Sequence, residues 1–329
     1  MSASRLTVVL TNYNHGRYLR QSLAALFAQT RPPDELIVID DASSDDSVAV
    51  IQSMLAGQPH ARLERNARNL GVIPNLNRGL EMAGGTIIHF AAADDVTYPT
   101  LFATGVALLN AHRRAALFSA RSDIIDDVGC CRGVLATPLP LRAAAYVGPS
   151  DAARELMRDD GWFMGNTTLY RRAPLLAAGG FSEELGAFAD GYVARLLTLQ
   201  HGACFSPEIL AAWRRLKGGM AWTVSADPRM AKRLAAVAEA KMRQASDVFP
   251  AGYPRRWRRR FIFGARRFAL ARFCRGPAGR GSLLRIILAI VEAAGAVSLL
   301  LAIRPWDVAT VARRRLLYLT GREAQSSRS

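Results

Sequence analysis

The chain has 329 residues, half of them hydrophobic, enough to bury a full core and to exclude a disordered polymer. Its formal charge of +16 is uneven: residues 251–329 hold 17 Arg, no Lys and three acids, so +14 lies there and +2 remains for residues 1–250. Four cysteines, Cys130, Cys131, Cys204 and Cys274, form no C-x-x-C pair and lie at no ligand-like spacing from histidine, which argues against a zinc finger or a disulfide framework and for reduced, mostly buried thiols.

The first residues run almost directly into an apolar, β-branched stretch, with no basic segment, long apolar run or small-residue cleavage site before it, and so predict a cytosolic catalytic part. Residues 6–11 predict a strand, and Leu19, Leu23, Leu26 and Phe27 follow at helical spacing. After the Thr30-Arg31-Pro32-Pro33 breaker, Leu36-Ile37-Val38-Ile39-Asp40 is the continuous apolar run of a parallel strand buried on both faces. Ser44 is placed to cap a helix with Asp45 and Asp46 in its first turn and Val48, Ile51 and Leu55 as its core stripe. The alternation continues with a short strand over residues 61–65, a helix opened by Pro74 and a strand over residues 86–91. Such alternation predicts an α/β fold with a parallel sheet.

Open sheets of this kind bind ligands beyond the carboxyl ends of their strands. Three predicted strand ends carry polar residues there: Thr11-Asn12-Tyr13-Asn14, Asp40-Asp41-Ala42-Ser43-Ser44 and Ala93-Asp94-Asp95. No G-x-G-x-x-G follows the first strand, which argues against a dinucleotide-binding dehydrogenase. Adjacent carboxylates repel unless a positive group or water intervenes, and Mg²⁺ or Mn²⁺ prefers one or two carboxylates plus phosphate oxygens. The plain alternative is that Asp94 and Asp95 cap a helix beginning near Pro99, and that Asp40 and Asp41 form an Asx turn.

In their order and spacing these segments resemble the inverting family-2 glycosyltransferases, whose nucleotide-sugar-binding fold is called GT-A. The resemblance covers residues 6–213. It is carried by Val8-Val9-Leu10-Thr11-Asn12-Tyr13-Asn14-His15-Gly16, by Glu35-Leu36-Ile37-Val38-Ile39-Asp40-Asp41-Ala42-Ser43-Ser44-Asp45 with Ala42 where the family often has Gly or Asn, by Asn69-Leu70-Gly71, and by Ala93-Asp94-Asp95 as the D-x-D-type metal motif. It implies that Thr11 and Tyr13 line the nucleobase pocket, that Asp40 accepts a hydrogen bond from the base with Asp41 a structural or ribose-side neighbour, and that Asn69 belongs to the nucleotide-sugar site. It further implies that Asp94 faces the ribose or the metal and that Asp95 holds Mn²⁺ or Mg²⁺ against the donor diphosphate. Trp162-Phe163-Met164-Gly165-Asn166-Thr167 and Gly179-Gly180-Phe181 resemble the family's acceptor side, and Asp190 stands where the catalytic base is expected, with Ala189 replacing the acid that commonly precedes it. The alternative for Asp190 is a cap on the helix holding Val193, Leu196 and Leu197. Residues 213–219 read either as a mobile loop bringing Arg214 or Lys217 to the diphosphate or as a solvated basic loop.

Residues 255–275 interleave Arg with aromatics, Trp257, Phe261, Gly264 and Phe268 forming one helical stripe, as in a basic amphipathic helix. Residues 286–303 are more apolar but contain Glu292, favouring an in-plane or protein-packed helix over a membrane span. The expected organisation is therefore a GT-A domain over residues 1–225 and a basic helical region over residues 226–329, peripheral on the inner face of the cytoplasmic membrane and attracted to anionic lipid. Expected partners are a nucleoside diphosphate sugar donor, UDP-linked by preference, and a glycan or lipid-linked acceptor of cell-surface polysaccharide type. A nucleic-acid-binding module would use the same arginines and aromatics but leaves the three strand-end motifs unexplained, and a sugar nucleotidyltransferase would need an N-terminal phosphate loop that Thr11-Asn12-Tyr13-Asn14-His15-Gly16 does not resemble.

Overall fold

The computed structural model describes residues 4–135 and 139–275. Along the chain run β1 (Leu6–Asn12), α1 (Gly16–Phe27), β2 (Glu35–Asp40), α2 (Ser47–Leu55), β3 (Ala61–Arg65), α3 (Val72–Met82), β4 (Ile87–Ala92), β5 (Val96–Thr97) and α4 (Leu101–Ala111). Then come β6 (Leu117–Ile125), β7 (Cys131–Val134), β8 (Ala145–Val147), α5 (Pro149–Arg158), β9 (Leu169–Arg171), α6 (Arg172–Ala177), α7 (Ala189–His201), β10 (Ala203–Arg214), α8 (Met220–Ala226), α9 (Pro228–Gln244) and α10 (Tyr253–Arg275). Short 3-10 turns at Gly165–Thr167 and Glu183–Phe188 flank β9 and lead into α7.

One mixed sheet holds these strands in the order β3-β2-β1-β4-β9-β6-β10-β5, with β7 on β6 and β8 on β10. The first four strands are mutually parallel, and β9 runs antiparallel to both β4 and β6, so β6 and β10 point the same way as β1, β2 and β4. The carboxyl ends of these strands therefore share one edge. Register fixes their level: Asn12 pairs with Asp40 across β1 and β2, and Thr11 pairs with Ala92 across β1 and β4.

The period of two along β1 divides the core. Val8 and Leu10 face α1 and α4, packing with Leu19, Leu23 and Phe102, while Val9 faces the other layer with Ile37, Ile88 and Leu80 of α3. That second layer does not stop near residue 225, where the charge distribution changes. Leu234, Ala238 and Met242 of α9, Phe249, and Tyr253 and Trp257 of α10 join the same cluster as Val193 and Leu197 of α7.

The expected basic amphipathic helix is thus present in α10, but the stripe partner is the protein itself. Trp257 is buried, Phe261 packs on Phe188, and Phe268 meets Trp222 edge to face. Gly264 of that stripe is exposed. The expected helix over residues 286–303, and all else beyond residue 275, lies outside the described residues. Among the described residues no helix is long and apolar enough to cross a membrane.

Two helix starts differ from expectation. Ser44 does not cap α2: its Oγ donates to Asn14 Oδ1 at 3.4 Å, Asp46 is the N-cap residue, and the helix begins at Ser47 with Val50 and Ile51 as its buried apolar residues. α3 begins at Val72, two residues before Pro74.

Removing a buried aromatic costs about 3–5 kcal/mol, against a total stability of about 5–15 kcal/mol. A chain ending at Ser246 loses Phe249, Tyr253 and Trp257 from the core and should show no cooperative thermal unfolding by calorimetry, whereas a chain ending at Arg275 should unfold cooperatively.

Candidate active site

The turns after β1 and β2 are stitched into one platform. Asn12 Nδ2 donates to Asp40 Oδ1 at 2.8 Å and to Ser43 Oγ at 3.0 Å, Asn14 N donates to Ser43 Oγ at 2.9 Å, and Gly16 N donates to Asp45 Oδ2 at 2.9 Å. Asp40 Oδ2 accepts from Ser43 N at 3.0 Å, so both oxygens are engaged within the turn and the side chain is buried. Two non-glycine residues sit here in the left-handed region, Asn14 at φ 54° and Ala42 at φ 60°. Asn tolerates that conformation, while Ala is strained by it, which accounts for the Gly or Asn common in the family at this place.

Thr11 is half-buried and Tyr13 is exposed, and neither side chain makes a hydrogen bond among the described residues. Asp41 faces the loop at residues 66–71, accepting from Asn66 Nδ2 at 2.7 Å and from the N–H groups of Leu70 and Gly71 at 2.9 Å. Burial pulls its pKa upward, but these hydrogen bonds prevail and hold it below the usual carboxylate range. Asn69 turns its Oδ1 back to Gly71 N at 2.9 Å and so shapes the same loop.

Asp94 and Asp95 follow β4 at the shared strand edge. They do not cap the next helix: β5 intervenes, and the residue preceding α4 is Thr100. Burial raises both carboxyls above their ordinary range, Asp95 strongly, and the charge of Asp94 raises Asp95 further. His15 and Arg214 act against the rise at Asp94, as does the Arg214 N–H, 2.8 Å from Oδ1, at Asp95. A pair of hard oxygen donors left in mutual repulsion fits a divalent cation. Among the described residues no third His, Cys, Asp or Glu completes a metal cluster, so the remaining ligands would be phosphate oxygens and water.

Arg214 is not a loop residue. It ends β10, is 2% exposed, and lies beneath the carboxylate turn. Its Nε donates to Asp94 O at 2.7 Å, Nη1 to Asp126 O at 2.7 Å and Nη2 to Gln21 Oε1 at 2.6 Å, with the guanidinium 4.7 Å over the ring of Tyr18. A buried guanidinium persists where acceptors converge on it, and these fix it as a prop for the turn. The connecting loop is residues 215–219, in which Lys217 is exposed and makes no ion pair among the described residues.

Asp190 stands in the first turn of α7, where Phe188 is the N-cap residue. Its Oδ1 accepts from Gly191 N at 2.7 Å, and burial raises its carboxyl against that bond and the charge of Arg195. The turn at Gly165–Thr167 links this carboxylate to the pair at β4. A Cβ on Gly165 would come within 2.5 Å of Asp190 Oδ2, so only glycine allows this approach, and the neighbouring Asn166 side chain hydrogen-bonds Asp95 and donates to Ser122 Oγ at 3.0 Å. The resemblance places Gly165 and Asn166 only within an acceptor-side segment, and it gives Arg195 no role. The Gly-Asn dipeptide in an aromatic stretch and a lone Arg in an apolar helix face were their available signals.

The model of the family described as "Glycosyl transferase family 2" matches residues 7–175. The uncharacterized glycosyltransferase YibD of Escherichia coli is 38% identical over 103 residues, which are 31% of this chain and 30% of YibD. Among solved structures, S. aureus TarS 1-349 in complex with UDP-GlcNAc superposes with a TM-score of 0.62 at 16% identity, covering 82% of this chain and 75% of that one. The mannosyltransferase PcManGT of Pyrobaculum calidifontis, in complex with GDP-Man and Mn²⁺, does so with a TM-score of 0.58 at 22% identity, covering 98% and 89%. At these identities the two structures speak to the fold, which is of GT-A type, and the matched model covers half of the sequence: the chain belongs to glycosyl transferase family 2.

Proposed function

We propose that this chain transfers a sugar from a nucleoside diphosphate sugar to a hydroxyl of a glycan or lipid-linked acceptor, by a single displacement with inversion. The observation that carries the reading is the pairing of two carboxylate stations on adjoining elements: Asp94, half-buried, and Asp95, buried, after the end of β4, and Asp190 at the start of α7, joined through Gly165 and Asn166. The solved structures of this fold hold UDP-GlcNAc and GDP-Man, the latter with Mn²⁺.

In this reading Thr11 and Tyr13, whose side chains are uncommitted, contact the nucleobase, while Asp40 acts through the turn it holds or after exchanging a partner. Asp94 and Asp95 hold Mn²⁺ or Mg²⁺, which when bound supplies positive charge to the departing diphosphate. Lys217, exposed beside Gly218 and Gly219 and without an ion pair among the described residues, is a cation that can reach the diphosphate, whereas Arg214 supports the carboxylate turn from below. Asp190 accepts the proton of the attacking hydroxyl, and its raised affinity for protons suits a base acting near neutral pH.

Anionic lipid is the proposed partner of the outer face of α10. Arg255, Arg259, Arg266 and Arg267 are exposed on it without an ion pair among the described residues, and Phe263 beside them is 55% exposed. Each such Arg contributes about 1 kcal/mol at an anionic surface.

Three measurements test these assignments. Asp95→Asn should abolish Mn²⁺-dependent binding of UDP or GDP by calorimetry while leaving the melting temperature within a few degrees or raising it, since a buried repelling charge is removed; undiminished metal-dependent binding would refute the metal role. Asp190→Asn should lower turnover of whichever sugar nucleotide the chain uses by about 10²-fold or more with little change in donor KM, and near-normal turnover would place the base elsewhere. The full chain should sediment with phosphatidylserine vesicles at low salt and be partly released by 1 M NaCl, roughly a threefold shortening of the screening length from 0.1 M; indifference to the vesicles would remove lipid as the partner.

A further inference from the structure

α10 meets the first turn of α7 on both sides of Asp190. Before it, the ring of Phe188 packs on Trp257 with centroids 4.2 Å apart. After it, Gly191 O accepts a 2.7 Å hydrogen bond from Nη1 of Arg195. The other donors of that guanidinium are also placed: Nε donates to Tyr253 Oη at 3.0 Å and Nη2 to Asp160 O at 2.6 Å. Tyr253 Oη in turn donates to Asp160 Oδ2 at 2.8 Å, and the guanidinium lies 5.3 Å from the ring of Phe163 and 5.2 Å from that of Phe188.

Arg195 is 7% exposed, on a helix face otherwise filled by Ala189, Val193 and Ala194. Packing alone would be met there by a leucine, without the desolvation of a charge. The charge is shared: Tyr253 and Asp160 act on it most strongly, and Asp190, one turn back on the same helix, is held down by it against burial. Asp160 is the nearer carboxylate, its Oδ2 lying 3.8 Å from Nε, but its other oxygen is shared with Arg260 of α10 at 3.7 Å, and Asp190, whose N-terminal turn Arg195 holds through Gly191 O, is the second carboxylate that feels the guanidinium.

We propose that Arg195, clamped by Tyr253, is a positioning residue for Asp190: it fixes the first turn of α7 and sets its charge against the Asp190 carboxylate, which makes α10 part of the transfer machinery. The proposal rests on Asp190 as the base. Besides Arg195, the titratable group facing Asp190 among the described residues is Tyr170 of β9, whose phenol burial pushes far up, so it stays neutral. The sign follows. Loss of the positive charge makes ionising Asp190 harder, so its titration moves to higher pH and the acid limb of turnover moves with it.

The test is carried out on the full chain labelled with carboxyl-¹³C aspartate, the Asp190 resonance being assigned with Asp190→Asn. Arg195→Gln should raise the Asp190 midpoint by about one pH unit or more, and Arg195→Lys should restore most of it. Because Arg195→Gln leaves Asp160 partly unpaired and can fail to fold, Tyr253→Phe, which keeps its ring against Phe249, is the decisive variant. It should raise the midpoint in a folded protein, while Arg259→Gln, on the outer face of α10, should not. With UDP-GlcNAc or GDP-Man and Mn²⁺, the acid limb of kcat should shift in the same direction with donor KM unchanged. A folded Tyr253→Phe protein whose Asp190 midpoint equals that of Arg259→Gln overturns the clamp, even if the unmodified chain turns over donor. A shifted midpoint in a chain that turns over no sugar nucleotide supports the clamp and refutes the transferase reading instead.

Discussion

Two adjacent carboxylates at the end of a strand, Asp95 buried and Asp94 half-buried, form an unfavourable local arrangement, and much of the surrounding structure answers to it. Asp94 and Asp95 repel, and Asp95 is shielded from water and Asp94 partly so, which leaves the turn that holds them in need of support from groups that are themselves fixed. Arg214 provides it from the end of β10, its N–H on Asp95 and its side chain on the backbone of Asp94, while its remaining donors reach α1 through Gln21 and the loop after β6 through Asp126. One side chain thereby ties three separate elements to the carboxylate turn. The convergence is possible because β4, β6 and β10 point the same way, which in turn requires β9 to run against both of its neighbours.

The alternation of strand and helix, the buried run of β2 and the placement of polar residues at strand ends were legible because they are local: period two, period 3.6 and breaker residues all lie within short windows. The positions of Asp94, Asp95 and Asp190 followed from motif order, and the structure joins them through one short turn. Arg214 and Arg195 were not legible in the same way. In a sequence, Arg signals exposure, and the acceptors that bury these two come from Gln21, Asp94 and Asp126 in one case and from Asp160 and Tyr253 in the other. Ser44 shows the same limit on a smaller scale: the hydroxyl of a good cap residue turns to Asn14, thirty positions away.

The stripe on α10 illustrates a different kind of ambiguity. An amphipathic pattern states that a helix has an apolar partner and is silent on which. Charge density favoured a membrane, yet Trp257 and Phe261 are spent on Phe188, and the arginines divide by face: Arg260 reaches the carbonyls that end α5 and Arg258 pairs with Glu239, while Arg255 and Arg259 are left outward. The helix is thus two surfaces back to back, one belonging to the fold and one open to a partner, and the sequence average of the two resembles neither.

Ala42 stands at φ 60° in the turn that Asp40 closes, and this bears on how the chain can drift over generations. Glycine relieves the strain there, and asparagine bears it at little cost. A β-branched residue, with a second heavy atom on Cβ, would force the turn open and release Ser43 from Asp40. Substitution at this one position is therefore a one-way gate: the backbone admits descendants smaller or more adaptable than the present residue and closes to the residues that dominate the strand immediately before it.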